Sequence, residues 1–123
     1  MRKPRILVVD DEPGFTRLLK LMFKRYEICE ENDSVRALET ALAFRPDLIL
    51  MDVIMPKLDG GNLAAKCRAE VLLKHVPIVF LTAVVSRNEA GEEPKQIGGF
   101  PFLAKPISPA ALERCIQGYL PAA

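Results

Sequence analysis

Three uninterrupted apolar runs constrain this chain more than any other feature. They are Ile6 to Val9, Leu48 to Met51 and Ile78 to Leu81. A short continuous apolar run bounded by turn residues fits a strand buried on both faces, as in a sheet covered by helices on either side. Each run stops on polar residues: Asp10-Asp11, Asp52 and Thr82. Two weaker segments, Tyr26 to Glu30 and Phe100 to Leu103, mix apolar residues with Glu27 and Glu30 or with Pro101, and so predict edge strands.

Helical spacing fills the gaps. Phe15, Leu18, Leu19, Met22 and Phe23 form one face behind Pro13, a residue suited to a first helical position. Val35, Leu38, Ala41 and Leu42 follow Ser34 as an expected cap, and Pro46 ends that helix. Asn62 is the expected cap of a third helix with Leu63, Cys67 and Val71 inward, broken at His75-Val76-Pro77. Ser108-Pro109 opens the last, with Leu112, Cys115, Ile116, Tyr119 and Leu120 on one side. Between Ser86 and Gly99 the alternation calls for a fourth helix. Gly91, Pro94, Gly98 and Gly99 predict that it is short, irregular or mobile.

Strand and helix alternate five times, which implies an α/β doubly wound parallel sheet with helices on both faces. Central positions for the three apolar runs and right-handed crossovers give the order 2-1-3-4-5, a flavodoxin-like arrangement. The switch point then falls between the first and third strands. Asp10, Asp11 and Asp52 come together at one mouth, with Thr82 and Lys105 on neighbouring strand ends. Two carboxylates at about 4 Å repel by roughly 4 kcal/mol at an effective dielectric near 20. One lysine cannot neutralise three acids, so a hard divalent cation with oxygen ligands, Mg2+ being the common one in cells, is expected.

Composition narrows the rest. At 123 residues the chain is read as a single domain, and a formal charge of +1 gives no footprint for direct nucleic-acid binding. No apolar run approaches the roughly 20 residues of a membrane helix. The charged N-terminus leads into too short an apolar stretch to be a signal peptide. Cys29, Cys67 and Cys115 with one histidine make no zinc set and read as buried thiols in a reducing compartment, so a cytoplasmic location is expected. Met51 and Met55 read as packing residues, and His75 as a helix-end or surface residue.

The ordered set Asp10-Asp11, Asp52, Met55-Pro56, Asp59-Gly60, Thr82-Ala83 and Lys105-Pro106 resembles the receiver domain of two-component response regulators over nearly the whole chain. The resemblance implies that Asp52 is the phosphoacceptor, receiving the group from a sensor histidine kinase or histidine phosphotransfer protein. It implies Mg2+ held by Asp11, Asp52 and the backbone carbonyl of Ile54, with Asp10 assisting. It implies that Lys105 pairs with Asp52 and then with the phosphoryl group, and that Thr82 bonds a phosphoryl oxygen. Phe102 would turn inward as the switch residue, and the Lys105-Pro106 peptide would be cis. The chain would act as a switch that catalyses its own phosphorylation and dephosphorylation. The surface that responds would be the fourth helix, fifth strand and fifth helix, for an unknown output partner or a phosphorylation-dependent homodimer. Gly98-Gly99-Phe100-Pro101 departs from the family pattern and implies a reshaped output face. The apolar residues Ile54 and Val84 imply slow loss of phosphate. No output domain is expected within the chain. Two alternatives stay open: a phosphoaspartate-type hydrolase, against which the Asp-x-Asp spacing and a cap insertion are missing, and a receiver-fold scaffold without phosphorylation.

Overall fold

The computed structural model describes residues 2–53, 55, 60–82, 96–97 and 99–120, with the backbone alone at 82, 96 and 97. The elements are β1 (Arg5–Val9), α1 (Pro13–Met22), β2 (Glu27–Glu31), α2 (Ala37–Phe44), β3 (Leu48–Met51), α3 (Gly60–Ala69), β4 (Ile78–Thr82), β5 (Gln96–Ile97), β6 (Phe100–Ala104) and α4 (Pro109–Tyr119).

Five parallel strands take the expected order, with β6 as the fifth of them: β2-β1-β3-β4-β6. One strand was not foreseen. Gln96–Ile97 pairs antiparallel with Phe100 and Pro101. Gly99, at φ +87°, makes the reversal in a conformation that residues with a Cβ rarely adopt. The added strand covers only the first two residues of β6, so Pro101 sits opposite Gln96 rather than at an open edge.

The apolar runs are buried on both sides because successive side chains point to opposite faces. Leu7, Val9, Ile49, Met51, Ile78 and Phe80 face α2 and α3, packing on Ala37, Ala41, Leu63 and Cys67. Ile6, Val8, Leu48, Leu50, Val79 and Leu81 face α1 and α4, packing on Leu19, Leu112 and Ile116. Fully burying each such aliphatic side chain contributes about 1.5–3 kcal/mol before conformational entropy is counted. Cys67 is buried and Cys29 and Cys115 are half-buried, all three as free thiols. Burial pushes the Cys67 thiol up to about 11.

Several helix details differ from expectation. On α1, Leu18 and Met22 are exposed, while Thr16 is fully buried and hydrogen-bonded to Glu30. Val35 and Val71 are exposed as well. Ser34 does not cap α2. The Asp33 carboxylate takes the Val35 N–H and the Ser34 carbonyl takes the Ala37 N–H, so a turn precedes a helix that starts at Ala37. Asn62 lies inside α3, which begins two residues earlier at Gly60, whose N–H bonds the Val53 carbonyl at 2.7 Å. That helix stops at Ala69, and turns carry the chain past an exposed His75 to β4. Ser108 does cap α4, accepting the Ala111 N–H at 3.1 Å. The helix expected between Ser86 and Gly99 falls almost wholly outside the described residues, as do Ile54, Pro56, Asp59, Ala83 and Val84.

Candidate functional site

The carboxyl ends of β1 and β3 carry the acids. The Asp52 N–H donates to the Val9 carbonyl at 2.9 Å, which brings the end of β3 beside the end of β1. One carboxylate oxygen from each of Asp10, Asp11 and Asp52 lies within 4.8 Å of the others. Their burial differs: Asp10 is sealed at 1 % exposure, Asp52 sits at the mouth at 9 %, and Asp11 is exposed.

Asp10 is held from all sides. Its backbone N–H donates to the Glu31 carbonyl, and its carbonyl accepts from Asn32 Nδ2 at 2.8 Å. Its Oδ1 accepts the Glu12 N–H at 3.0 Å, and its Oδ2 accepts from Lys105 Nζ at 2.6 Å. Asn32 Nδ2 also donates to Thr16 Oγ1, which ties the end of β2, the start of α1 and the β1 terminus into one buried polar knot.

Lys105 enters from the end of β6, behind a cis peptide to Pro106. Its ammonium bonds Asp10 and stands 3.7 Å from both Asp52 Oδ2 and Glu12 Oε1. It also lies over the Phe15 ring, 4.2 Å from the centroid, in cation–π contact. The resemblance implied a Lys105–Asp52 pair; the hydrogen bond goes to Asp10, and Asp52 is the longer ion pair. Burial pulls the ammonium's pKa down, but the hydrogen bond and charge of Asp10, with Asp52 and Glu12 behind it, outweigh this and raise it.

Of the other anticipated residues, Thr82 ends β4, its backbone opposite Ala104 of β6. Phe102 is buried in the core on the α2 and α3 side, opposite Phe80 in register. The carbonyl of Ile54 lies outside the described residues. Glu12, Phe15, Thr16 and Asn32 were not anticipated at the site. Phe15 read as one more member of an apolar helical stripe, and only its spacing behind Asp11 hinted that it could reach the strand ends.

The cluster of Asp10, Asp11 and Asp52, with one ammonium beside Asp10 and Asp52, fits a hard cation with oxygen ligands, since such an ion relieves repulsion that the lysine alone cannot. The same arrangement can hold a phosphoryl oxygen against a cation and present a carboxylate as nucleophile. Among the described residues, no helix is long and apolar enough to cross a membrane.

A sequence model of the response regulator receiver domain matches residues 6–117. The chain is 36% identical to a probable transcriptional regulator ycf27 of Porphyridium aerugineum, covering 98% of this chain and 49% of that protein. It is 38% identical to the response regulator PleD of Caulobacter vibrioides, over 88% of this chain and 24% of that one. The chain thus spans about half or less of the curated relatives it matches. Among solved structures, the chemotaxis protein CheY4 of Vibrio cholerae superposes with a TM-score of 0.82 at 29% identity, covering 97% of this chain and 100% of that one. The receiver domain of the sensor histidine kinase PA1611 of Pseudomonas aeruginosa, with a magnesium ion in its active-site cleft, gives 0.81 at 30% identity, covering 96% and 98%.

Proposed function

The chain belongs to the response regulator receiver domain family, and from that premise we propose that it accepts one phosphoryl group on Asp52 in a Mg2+-dependent phosphorelay step. The donor is a phosphohistidine of a sensor histidine kinase or a histidine phosphotransfer protein. The observation that carries this reading is the asymmetry of the acids. Asp10 is sealed at 1 % exposure between Lys105 and the Glu12 N–H, whereas the Asp52 carboxylate reaches the mouth, at 9 %, with the Lys105 ammonium 3.7 Å away.

An Asp52 oxygen forms the new bond to phosphorus as the bond from phosphorus to the donor imidazole nitrogen breaks, the electron pair leaving with that nitrogen. Mg2+ held by Asp11 and Asp52, with the Ile54 carbonyl and with Asp10 assisting, would neutralise the acids and draw charge from the phosphoryl oxygens. Lys105 is poised beside the acceptor, and a small rotation carries its ammonium from Asp10 toward the new phosphoryl oxygens. Thr82, at the end of the neighbouring strand, supplies a further contact to them. The added charge of about −1.5 to −2 is the signal. It is read out through Thr82 and Phe102 at the face that holds β6 and α4, in a cytoplasmic setting, by an output partner or a second copy of the chain.

Incubation with Mg2+ and a small-molecule phosphodonor tests this. Intact-mass analysis is expected to show one phosphoryl group per chain, absent when Mg2+ is chelated and absent in Asp52→Ala. Sustained turnover of phosphoesters would point instead to a hydrolase, and labelling unchanged in Asp52→Ala would overturn the assignment.

A further inference from the structure

We propose that the open edge of β2 and the basic side of α1 form a docking groove for an extended acidic peptide, which adds to the sheet as one more strand. β2 ends the sheet order, and β1 is its one partner among the described residues. The Glu27 N–H bonds the Pro4 carbonyl and the Glu31 carbonyl takes the Asp10 N–H, so these residues spend their backbone groups on β1. In a parallel pair those groups alternate in direction along the strand, so the N–H and C=O of Ile28 and Glu30 point away from the sheet. A groove of about 880 Å3 runs along that edge.

The walls of the groove are unequal. On the α1 side stand Arg17 and Lys20, with Lys24 in the turn just beyond and Lys3 reaching across to bond the Lys24 carbonyl at 3.0 Å. The two glutamates in the groove are already answered, Glu27 by Arg5 and Glu30 by Arg17, each at 3.3 Å. Among the described residues, no carboxylate lies within ion-pair distance of Lys3, Lys20 or Lys24. The opposite wall is Phe44 of α2, half-buried and apolar.

A strand seated here would send alternate side chains to the two walls. The fitting ligand therefore carries acidic residues at every second position, facing α1, and apolar residues between them, facing Phe44. Polyphosphate chemistry fits less well, because Glu27 and Glu30 line the floor and the edge offers backbone hydrogen-bonding groups that pair with a peptide. Lysines near an edge strand also serve simply to discourage pairing. Guards of that kind project from the edge strand itself; here the strand carries glutamates and the cations come from its neighbours.

The probe is a fluorescent, end-blocked peptide of about eight residues alternating Glu and Val, titrated by polarisation against the full chain. Binding is expected, weakening with added salt and falling about tenfold or more in the double variant Lys20→Glu, Lys24→Glu. Replacing two valines of the peptide with proline, which removes amide donors, is expected to abolish it. Labelling of the double variant by a small phosphodonor is expected to match the parent, which shows that it folds and separates this surface from the acidic mouth. No binding, binding indifferent to the lysines or to proline, or tighter binding of a single-stranded oligonucleotide would each overturn the proposal.

Discussion

Replacing Gly60 by alanine tests how the strand that carries Asp52 is seated. Gly60 begins α3 directly against the backbone that carries Asp52, its N–H bonded to the Val53 carbonyl at 2.7 Å. A Cβ at this position would lie 2.2 Å from the Asp52 carbonyl oxygen and 2.8 Å from Val53 Cα. Ordinary contact begins near 3.4 Å, so one side must retreat by about 1 Å. Both sides are backbone, and Asp52 is pinned by its bond to Val9. Relief therefore costs the Gly60–Val53 hydrogen bond, about 1 kcal/mol, together with overpacking strain of about 1–3 kcal/mol. We expect Gly60→Ala to lose about 2–4 kcal/mol in urea unfolding and to label more slowly with a small phosphodonor, because the strand end that moves is the one bearing Asp52. The sign is diagnostic. With no close contact, alanine in a helix stabilises by about 0.5–1 kcal/mol relative to glycine. Gly14 and Gly118, where an added Cβ meets nothing within 4 Å, should show that ordinary gain. A Gly60→Ala midpoint equal to or above the parent's would refute the steric argument.

Other perturbations reach different parts of the structure. Lys105→Met leaves the sealed Asp10 carboxylate without its cation and should cost about 3–5 kcal/mol in chelator, with Mg2+ restoring part of it; equal urea midpoints with the parent in chelator would contradict this. Asn32→Ala removes the donor to the Asp10 carbonyl and to Thr16, and should cost about 1–3 kcal/mol while weakening Mg2+ binding measured by calorimetric titration. Unchanged affinity would show that the knot does not position the acids. Tyr26 donates to Glu113 of α4, and Gln117 joins them. The Tyr26 hydrogen bond, helped by Gln117, holds the Glu113 carboxyl below its ordinary range. A depressed carboxylate stabilises the fold above its unfolded pKa, and that stability is lost as pH falls through the folded value. Tyr26→Phe should therefore destabilise by about 1–2 kcal/mol at neutral pH and by less in acid, once Glu113 is protonated in both states. A difference constant with pH would contradict the assignment.

The sheet was legible because its signal is redundant. Three four-residue apolar runs have no other way to bury both faces, and their polar endings follow from where such strands stop. Edges and caps were less legible, because each turns on a single contact rather than on a repeated pattern. Ser34 and Asn62 are good capping residues by type, yet α2 begins at Ala37 behind a turn closed by the Asp33 carboxylate, and α3 begins at Gly60, ahead of Asn62. Thr16 read as a polar gap in an apolar stripe, and it is buried because Asn32 and Glu30 satisfy its hydroxyl. Gln96–Ile97 carried no period, and its pairing depends on the Gly99 turn beside it. At the mouth, the set of acids and the lysine could be read from the strand ends. Which acid the lysine bonds could not, because that depends on burial: Asp10 is the more deeply sealed carboxylate and so gains most from a cation.

The position of the covalent bond decides whether Asp52 is the acceptor. The chain, phosphorylated with Mg2+ and a small phosphodonor, would be reduced with borohydride, which converts an acyl phosphate to an alcohol, and then digested and sequenced by mass spectrometry. Asp52 alone is expected to be converted, with Asp10 and Asp11 intact. Conversion at Asp10 or Asp11, or phosphate retained through the reduction on a hydroxyl or imidazole side chain, would contradict it.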